Sequence, residues 1–326
     1  MFFKGVDCKF AGLLEILISI FYKSIGFYRR MKGKKGIPFV KMHGIGNDYI
    51  YLDALRGERP DYLEEDKIPD LSRKISNRNF GVGSDGLILI LPSEIADFRM
   101  RIFNADGSEA KMCGNGIRCV GKYVYDLGFT TKKEISVETN SGIKYLHLTI
   151  GENGVESVTV DMGSPKFKRG EIPATGEKEE EMNDQQISSG QKEFKVTGVS
   201  MGNPHGVIFS HEVDDLNLPE IGPGLEKNSV WPDRANIEFV KVVNKDELKV
   251  RVWERGSDET LACGTGACAS AVASYRKGLT NSEVTIHLQG GDLKVRYDEK
   301  NNRVMMTGGA TFICSGIYYP DGKIEN

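Results

Sequence analysis

Two stretches decide the fold of this chain: Cys113-Gly-Asn-Gly-Ile-Arg-Cys-Val-Gly-Lys-Tyr-Val-Tyr-Asp-Leu-Gly128 and Cys263-Gly-Thr-Gly-Ala-Cys-Ala-Ser-Ala-Val-Ala-Ser-Tyr-Arg-Lys-Gly278. Each opens on Cys-Gly-x-Gly, continues with helical spacing and stops at a glycine, over the same interval (113 to 128, 263 to 278). A glycine just past the last helical residue is the usual stop signal. Strand-like segments follow each helix: Glu134–Glu138 and Tyr145–Ile150 after the first, Val284–Leu288 and Leu293–Tyr297 after the second. Upstream, Gly46-Asn47 precedes Cys113 much as Gly202-Asn203 precedes Cys263. Matching helices with matching flanks predict two domains of one fold facing each other.

Around this repeat, Tyr49–Leu52, Leu87–Leu91, Arg99–Phe103 and Val155–Met162 read as strands between Gly-rich turns. Residues 171–195 are polar and turn-rich, with Glu177-Lys-Glu-Glu-Glu181 and Ser188-Ser-Gly190, and are expected to form a solvated surface loop. The expected division is an N-terminal extension over 1–36, a first domain over 37–157 joined by a C-terminal strand at 309–322, and a second domain over 158–308. The extension carries the apolar run Ala11–Tyr22, bracketed by Glu15 and Lys23 and too short to span a bilayer. It lacks a signal-peptide cleavage pattern, and its charges, Arg29, Arg30, Lys32, Lys34 and Lys35, follow the apolar run. A membrane-surface helix is one reading; an upstream start with Met31 as the working first residue, or a dispensable tail, is the other.

Of the 326 residues, 39% are hydrophobic and 27% charged, with a net charge of -3, which suits a soluble two-domain protein and disfavours nucleic acid as a partner. Six cysteines without a CxxC, and only five histidines, disfavour structural zinc and a disulfide framework. A reducing cytoplasm fits. Cys119 and Cys268, inside the two helices, read as core; Cys314, in the strand Thr311–Tyr319, reads as packing.

Cys113 and Cys263 are different. Each stands before Gly-x-Gly at a helix N-terminus, where unpaired N–H groups and the positive end of the dipole attract anions. Such a place is expected to draw a thiol below its ordinary pKa of about 8.5, towards the neutral range where a general base works best. Two thiols facing one ligand from opposite sides can remove a proton from one face of a carbon and deliver one to the other. Inversion of a stereocentre requires that. Polar groups gather in turns near these cysteines: Asn104 and Glu109 before the first, Glu254 and Arg255 before the second, and Asn47, Asn203, His205 and Asn236 elsewhere. Arg255 suits a carboxylate, and the asparagines can read ammonium and carboxylate groups without adding charge.

Five motifs in order resemble the diaminopimelate epimerase family across residues 38 to 319: Lys41–Asp48, Asn104–Glu109 with Cys113–Arg118, Met201–His205, Arg234–Phe239, and Glu254-Arg-Gly with Ala262–Ala267. The resemblance implies an α+β fold of two pseudo-symmetric domains, each a mixed β-sheet or barrel wrapped around a central helix. It implies interconversion of LL- and meso-2,6-diaminoheptanedioate, on the route to lysine and peptidoglycan, without cofactor or metal. By motif, Cys113 and Cys263 are the two acid/bases, assisted by His205 and Glu254. Asn47, Asn104, Asn203, Asn236, Glu254 and Arg255 contact the substrate, and Gly114-Asn115 with Gly264-Thr265 supply backbone donors. A homodimer is implied by analogy. Some relatives carry a substrate-touching glutamine where this chain has Gly86, so that contact is unassigned. Proline racemase-like enzymes share the cysteine pair but usually carry histidine at the position of Asn115; phenazine-biosynthesis isomerases lack the pair. The rival of another class is a redox-sensitive binding protein with facing thiols.

Overall fold

A computed structural model of the chain describes residues 36–56 and 60–323; both readings of the N-terminal extension lie outside the described residues. The first half runs β1 (Ile37–Gly44), β2 (Asn47–Asp53), α1 (Ile68–Ser76), β3 (Gly86–Leu91), β4 (Phe98–Asn104), β5 (Glu109–Ala110), α2 (Gly114–Asp126), β6 (Glu134–Thr139), β7 (Gly142–Gly151) and β8 (Gly154–Gly163). After β9 (Gln185–Ser189) the same order recurs: β10 (Lys192–Ser200), β11 (Pro204–Phe209), α3 (Leu218–Glu226), β12 (Asn236–Asn244), β13 (Glu247–Glu254), β14 (Asp258–Thr260), α4 (Gly264–Arg276), β15 (Glu283–Leu288), β16 (Gly291–Asp298) and β17 (Arg303–Gly308). The chain then closes with β18 (Thr311–Tyr318).

Pairing repeats with the order. β2 lies parallel to β3 and β4 to β6, as β11 does to β12 and β13 to β15; the remaining neighbours are antiparallel. β18 lies against β1 as β9 lies against β10, so each half receives its outer strand from a different direction along the chain. The two halves join where β8 pairs with β17, with Thr159 and Thr307 hydroxyls 2.8 Å apart on the seam. The division expected between residues 157 and 158 falls inside β8, which runs unbroken through it.

Each half is three layers. In β3, Ile88 and Ile90 face inward toward α2, while Leu87, Leu89 and Leu91 face outward toward α1. A strand apolar at every position is one buried on both faces. β12 alternates the same way: Ile237 and Phe239 face α3, and Glu238 and Val240 face α4. Both central helices end in the same cap. Gly128 (φ +75) and Gly278 (φ +69) adopt the left-handed conformation, with Phe129 N bonded to Val124 O and Leu279 N to Ser274 O. Cys119 and Cys268 are fully buried in these helices, as their sequence context indicates.

Two expectations fail. The solvated loop over 171–195 contains β9 and the start of β10, and Ile172, Met182 and Ile187 are buried in the core beneath α3. An edge strand needs only every second residue inward, so Ile187 and Ser189 suffice within a polar run. Cys314 is exposed, because β18 is a sheet edge with one face largely uncovered. Among the described residues no helix is long and apolar enough to cross a membrane.

Candidate active site

The N-termini of α2 and α4 abut. A Cβ on Gly264 would lie 3.6 Å from the Gly114 Cα and 3.2 Å from the Met306 Sδ, and one on Gly114 would lie 2.9 Å from the Met306 Cε. With glycine at both positions, the Met306 thioether packs against both helix tips. Cys113 and Cys263 cap the two helices: each Sγ accepts from the N–H three residues on, Gly116 at 3.3 Å and Gly266 at 3.4 Å. Asn115 crosses between the halves, its Nδ2 donating to the Ala262 carbonyl at 3.1 Å; its buried Oδ1 has no partner among the described residues.

Around Cys113, the thiol points at Asn47 Oδ1 (3.4 Å), which also faces Asn115 Nδ2 (3.4 Å). Asn47 Nδ2 donates to Asp85 Oδ2 at 2.7 Å. The Tyr49 hydroxyl acts on the same thiol electrostatically, favouring the thiolate. Around Cys263 lie Thr265 Oγ1 at 3.5 Å and the Glu254 carboxylate, which takes a bond from Thr260 Oγ1 at 2.5 Å and acts electrostatically on the thiol. Asn203 Nδ2 reaches Thr265 Oγ1 at 3.4 Å, and its Oδ1 meets His205 Nε2 at 3.0 Å. His205 Nδ1 lies 2.7 Å from Glu238 Oε1, both side chains having no exposure. Asn236 braces the turn above, donating to Pro204 O and accepting from Arg255 N at 2.9 Å.

Not every candidate converges. The Arg255 guanidinium donates to the Asp233 carbonyl on the exposed rim, and Asn104 Nδ2 bonds Ser108 in the turn preceding Cys113. His205 touches Asn203 and Glu238 rather than a thiol. At Gly86 a Cβ would stand 2.2 Å from the Phe103 carbonyl, so this backbone accommodates no side chain there. Sequence reading missed Tyr49, Asp85, Thr260, Glu238 and the fully buried Arg118, which binds the Gly114 and Gly309 carbonyls. Asp85 and Glu238 lay within or beside quoted motifs, but only parallel strand pairing reveals what they meet. An open polar cavity of about 550 Å³ beside Arg169, Gln185 and Asn228 contains none of these groups.

The lowered thiol pKa expected from the helix tips is not what the surroundings of the two thiols favour. Burial pushes both thiols up; Gly116 N–H and the Tyr49 hydroxyl pull Cys113 back, while Glu254 and Glu238 push Cys263 further. Desolvation outweighs the hydrogen bonds here, even with the Arg118 guanidinium on the Gly114 carbonyl. Burial also raises Glu254, against the bond from Thr260.

Similarity to known proteins identifies the family. Residues 39–168 and 197–313 match the diaminopimelate epimerase family. A diaminopimelate epimerase from Desulfovibrio desulfuricans is 50% identical over 288 residues, covering 87% of this chain and 98% of that protein. One from Acetivibrio thermocellus is 51% identical over 280 residues, covering 85% and 97%. Among solved structures, a hydroxyproline epimerase from Agrobacterium vitis has a TM-score of 0.61 at 14% identity, over 87% of this chain and 91% of that one. A Bacillus anthracis protein of the phenazine-biosynthesis PhzF family has 0.60 at 20%, over 87% and 99%. These two share the fold. With the matched segments spanning both cysteine-capped helices, the chain is an isomerase belonging to the diaminopimelate epimerase family.

Proposed function

We propose that this enzyme interconverts LL- and meso-2,6-diaminoheptanedioate, without a cofactor, using Cys113 and Cys263 as paired acid and base, in the supply of meso compound to lysine and peptidoglycan synthesis. The observation that carries the reading is the pair of thiols at twin helix N-termini, bridged by Asn115 and Ala262. The substrate α-carboxylate takes the anion place at the helix tips, where N–H dipoles stabilise charge developing on it as Cα loses its proton. One cysteine receives that proton as thiolate, and the other delivers its S–H proton to the opposite face. Since both free thiols hold their protons at neutral pH, one must ionise as substrate enters. Glu254, raised by burial and acting on Cys263, is the group able to accept that proton. Asn47, Asn104, Asn203, Asn236 and Arg255 hold the two ends of the substrate. The working halves are β1–β8 with β18, and β9–β17, acting in a cytoplasmic homodimer whose state sedimentation would read.

The test is turnover of the LL isomer in deuterated water. Early meso product should carry deuterium while the residual LL pool stays nearly unlabelled, because the abstracting thiol holds its proton on the wrong face. Replacing either cysteine with alanine should remove about 10²–10⁴-fold of the rate. Equal early labelling of both pools, or near-normal turnover by either variant, defeats the two-base reading; reactive thiols with no turnover at all would favour a redox-sensitive binding protein.

A further inference from the structure

The two thiols occupy equivalent places, but the asparagines beside them are held by different devices. Strand register makes Asn47 and Asn203, Tyr49 and His205, and Gly86 and Asn236 counterparts. The residue before each of the last pair is Asp85 in one half and the buried Ala235 in the other. Asp85 Oδ2 takes two donors, Asn47 Nδ2 at 2.7 Å and Asp48 N at 3.0 Å, and Asp85 Oδ1 takes Arg78 at 2.9 Å. A carboxylate paired with arginine offers lone pairs only. The nitrogen end of the Asn47 amide must therefore face Asp85, and the oxygen end must face Cys113. In the second half no carboxylate stands there. Asn203 turns its oxygen to His205 and its nitrogen toward Thr265, beside Cys263.

We propose that Asp85 is a positioning residue that locks the Asn47 amide with its carbonyl toward Cys113, so that Cys113 keeps its proton and serves as the acid of the free enzyme. A carbonyl accepts a bond from S–H and offers nothing to a thiolate. An amide turned the other way would donate to the thiolate and favour ionisation. The lock exists in one half only, so the free enzyme is biased although its backbone is nearly symmetric. The role as acid rests on the epimerase reading; the lock on the amide does not.

The groups facing Cys113 that the experiment must separate from the lock are Asp85, with Asp48, Lys41 and Arg78 behind it, Glu254 across the site, the Tyr49 hydroxyl, and the Arg118 guanidinium at the helix tip. The measurement is alkylation of the full chain by iodoacetamide over a pH series, with the Cys113 and Cys263 peptides quantified in one digest. Asp85→Ala frees the amide and should speed Cys113 alkylation at least about tenfold at a given pH, as for a charge-assisted hydrogen bond gained, with Cys263 unchanged. Asp85→Asn removes the same charge but keeps the acceptor that Asn47 Nδ2 and Asp48 N share, so Cys113 should react within about twofold of the unaltered protein. No acceleration in Asp85→Ala, or equal acceleration in both variants, overturns the lock, the second outcome assigning the effect to bare charge. Should Asp85→Ala not fold, the unaltered protein decides: Asn47 side-chain amide protons should give nuclear Overhauser contacts to the Asp48 N–H, and contacts to the Cys113 Cβ protons would overturn the proposal.

Discussion

Glu238 and His205 stand where the first half has Ile88 and Tyr49, and the exchange can be made experimentally. The strand registers make these pairs counterparts. A Cβ on Gly266 would meet Glu238 Oε1 at 2.6 Å, and one on Gly116 would meet Ile88 Cδ1 at 2.5 Å, so the two side chains fill the same space beneath the two helix tips. Glu238 is fully buried, its Oε1 on His205 and its Oε2 without a partner among the described residues. His205→Tyr alone leaves that carboxylate buried and unpaired, a loss of about 3–5 kcal/mol. Glu238→Ile alone leaves the imidazole Nδ1 unmatched, a loss of about 1–3 kcal/mol. The double variant rebuilds the apolar floor of the other half and removes both unpaired groups. It should unfold within about 2 kcal/mol of the unaltered protein, since a buried pair replaced by well-packed residues is often neutral. The coupling is then at least about 2 kcal/mol, read from urea unfolding of all four proteins at matched slope. The double variant should be stable yet poorly active, having lost the group that holds Asn203. If its loss instead equalled the sum of the single losses within about 0.5 kcal/mol, the two residues would not form a unit and the symmetry argument would fail.

Burial holds Cys119 up to about 11 and Cys268 up to about 12, and raises both site thiols. Unfolded thiols titrate near about 8.5. Above that pH the unfolded chain binds fewer protons than the native one, so stability should fall with rising pH, by about 1.4 kcal/mol per pH unit for each thiol the fold keeps protonated. Cys268→Ala should flatten the decline of urea stability by one such increment, and an unchanged slope would contradict the assignment. Gly114→Ala places a Cβ 2.9 Å from the flexible end of Met306, which can yield at small expense in stability. Because that Cβ meets only the side-chain ends of Met306 and Met162, the helix tips should keep their approach and turnover should stay within about threefold, against about 10²-fold for a misplacement of a full ångström; a loss beyond about tenfold would mean that the tips had been forced apart.

Sequence alone determined the parts of this protein that rest on local chemistry. Cys-Gly-x-Gly followed by a helix and a stopping glycine is a local instruction, and its recurrence announced two like halves with a thiol at each helix tip. Helix caps, most strands and the buried Cys119 and Cys268 followed from spacing that neighbours along the chain enforce. Tertiary structure decided whatever depends on partners distant in sequence. β9 hid in a polar segment because an edge strand buries so few of its residues. Cys314 looked like packing until the sheet left one face of β18 open. Helix dipoles promised ionised thiols, but desolvation is set by everything folded over a site, and here it prevails. Asp85 and Glu238 were invisible as site residues because parallel pairing of β2 with β3, and of β11 with β12, brings them to Asn47 and His205. The motifs placed two similar thiols; the asymmetry between their surroundings came only from which strands lie side by side.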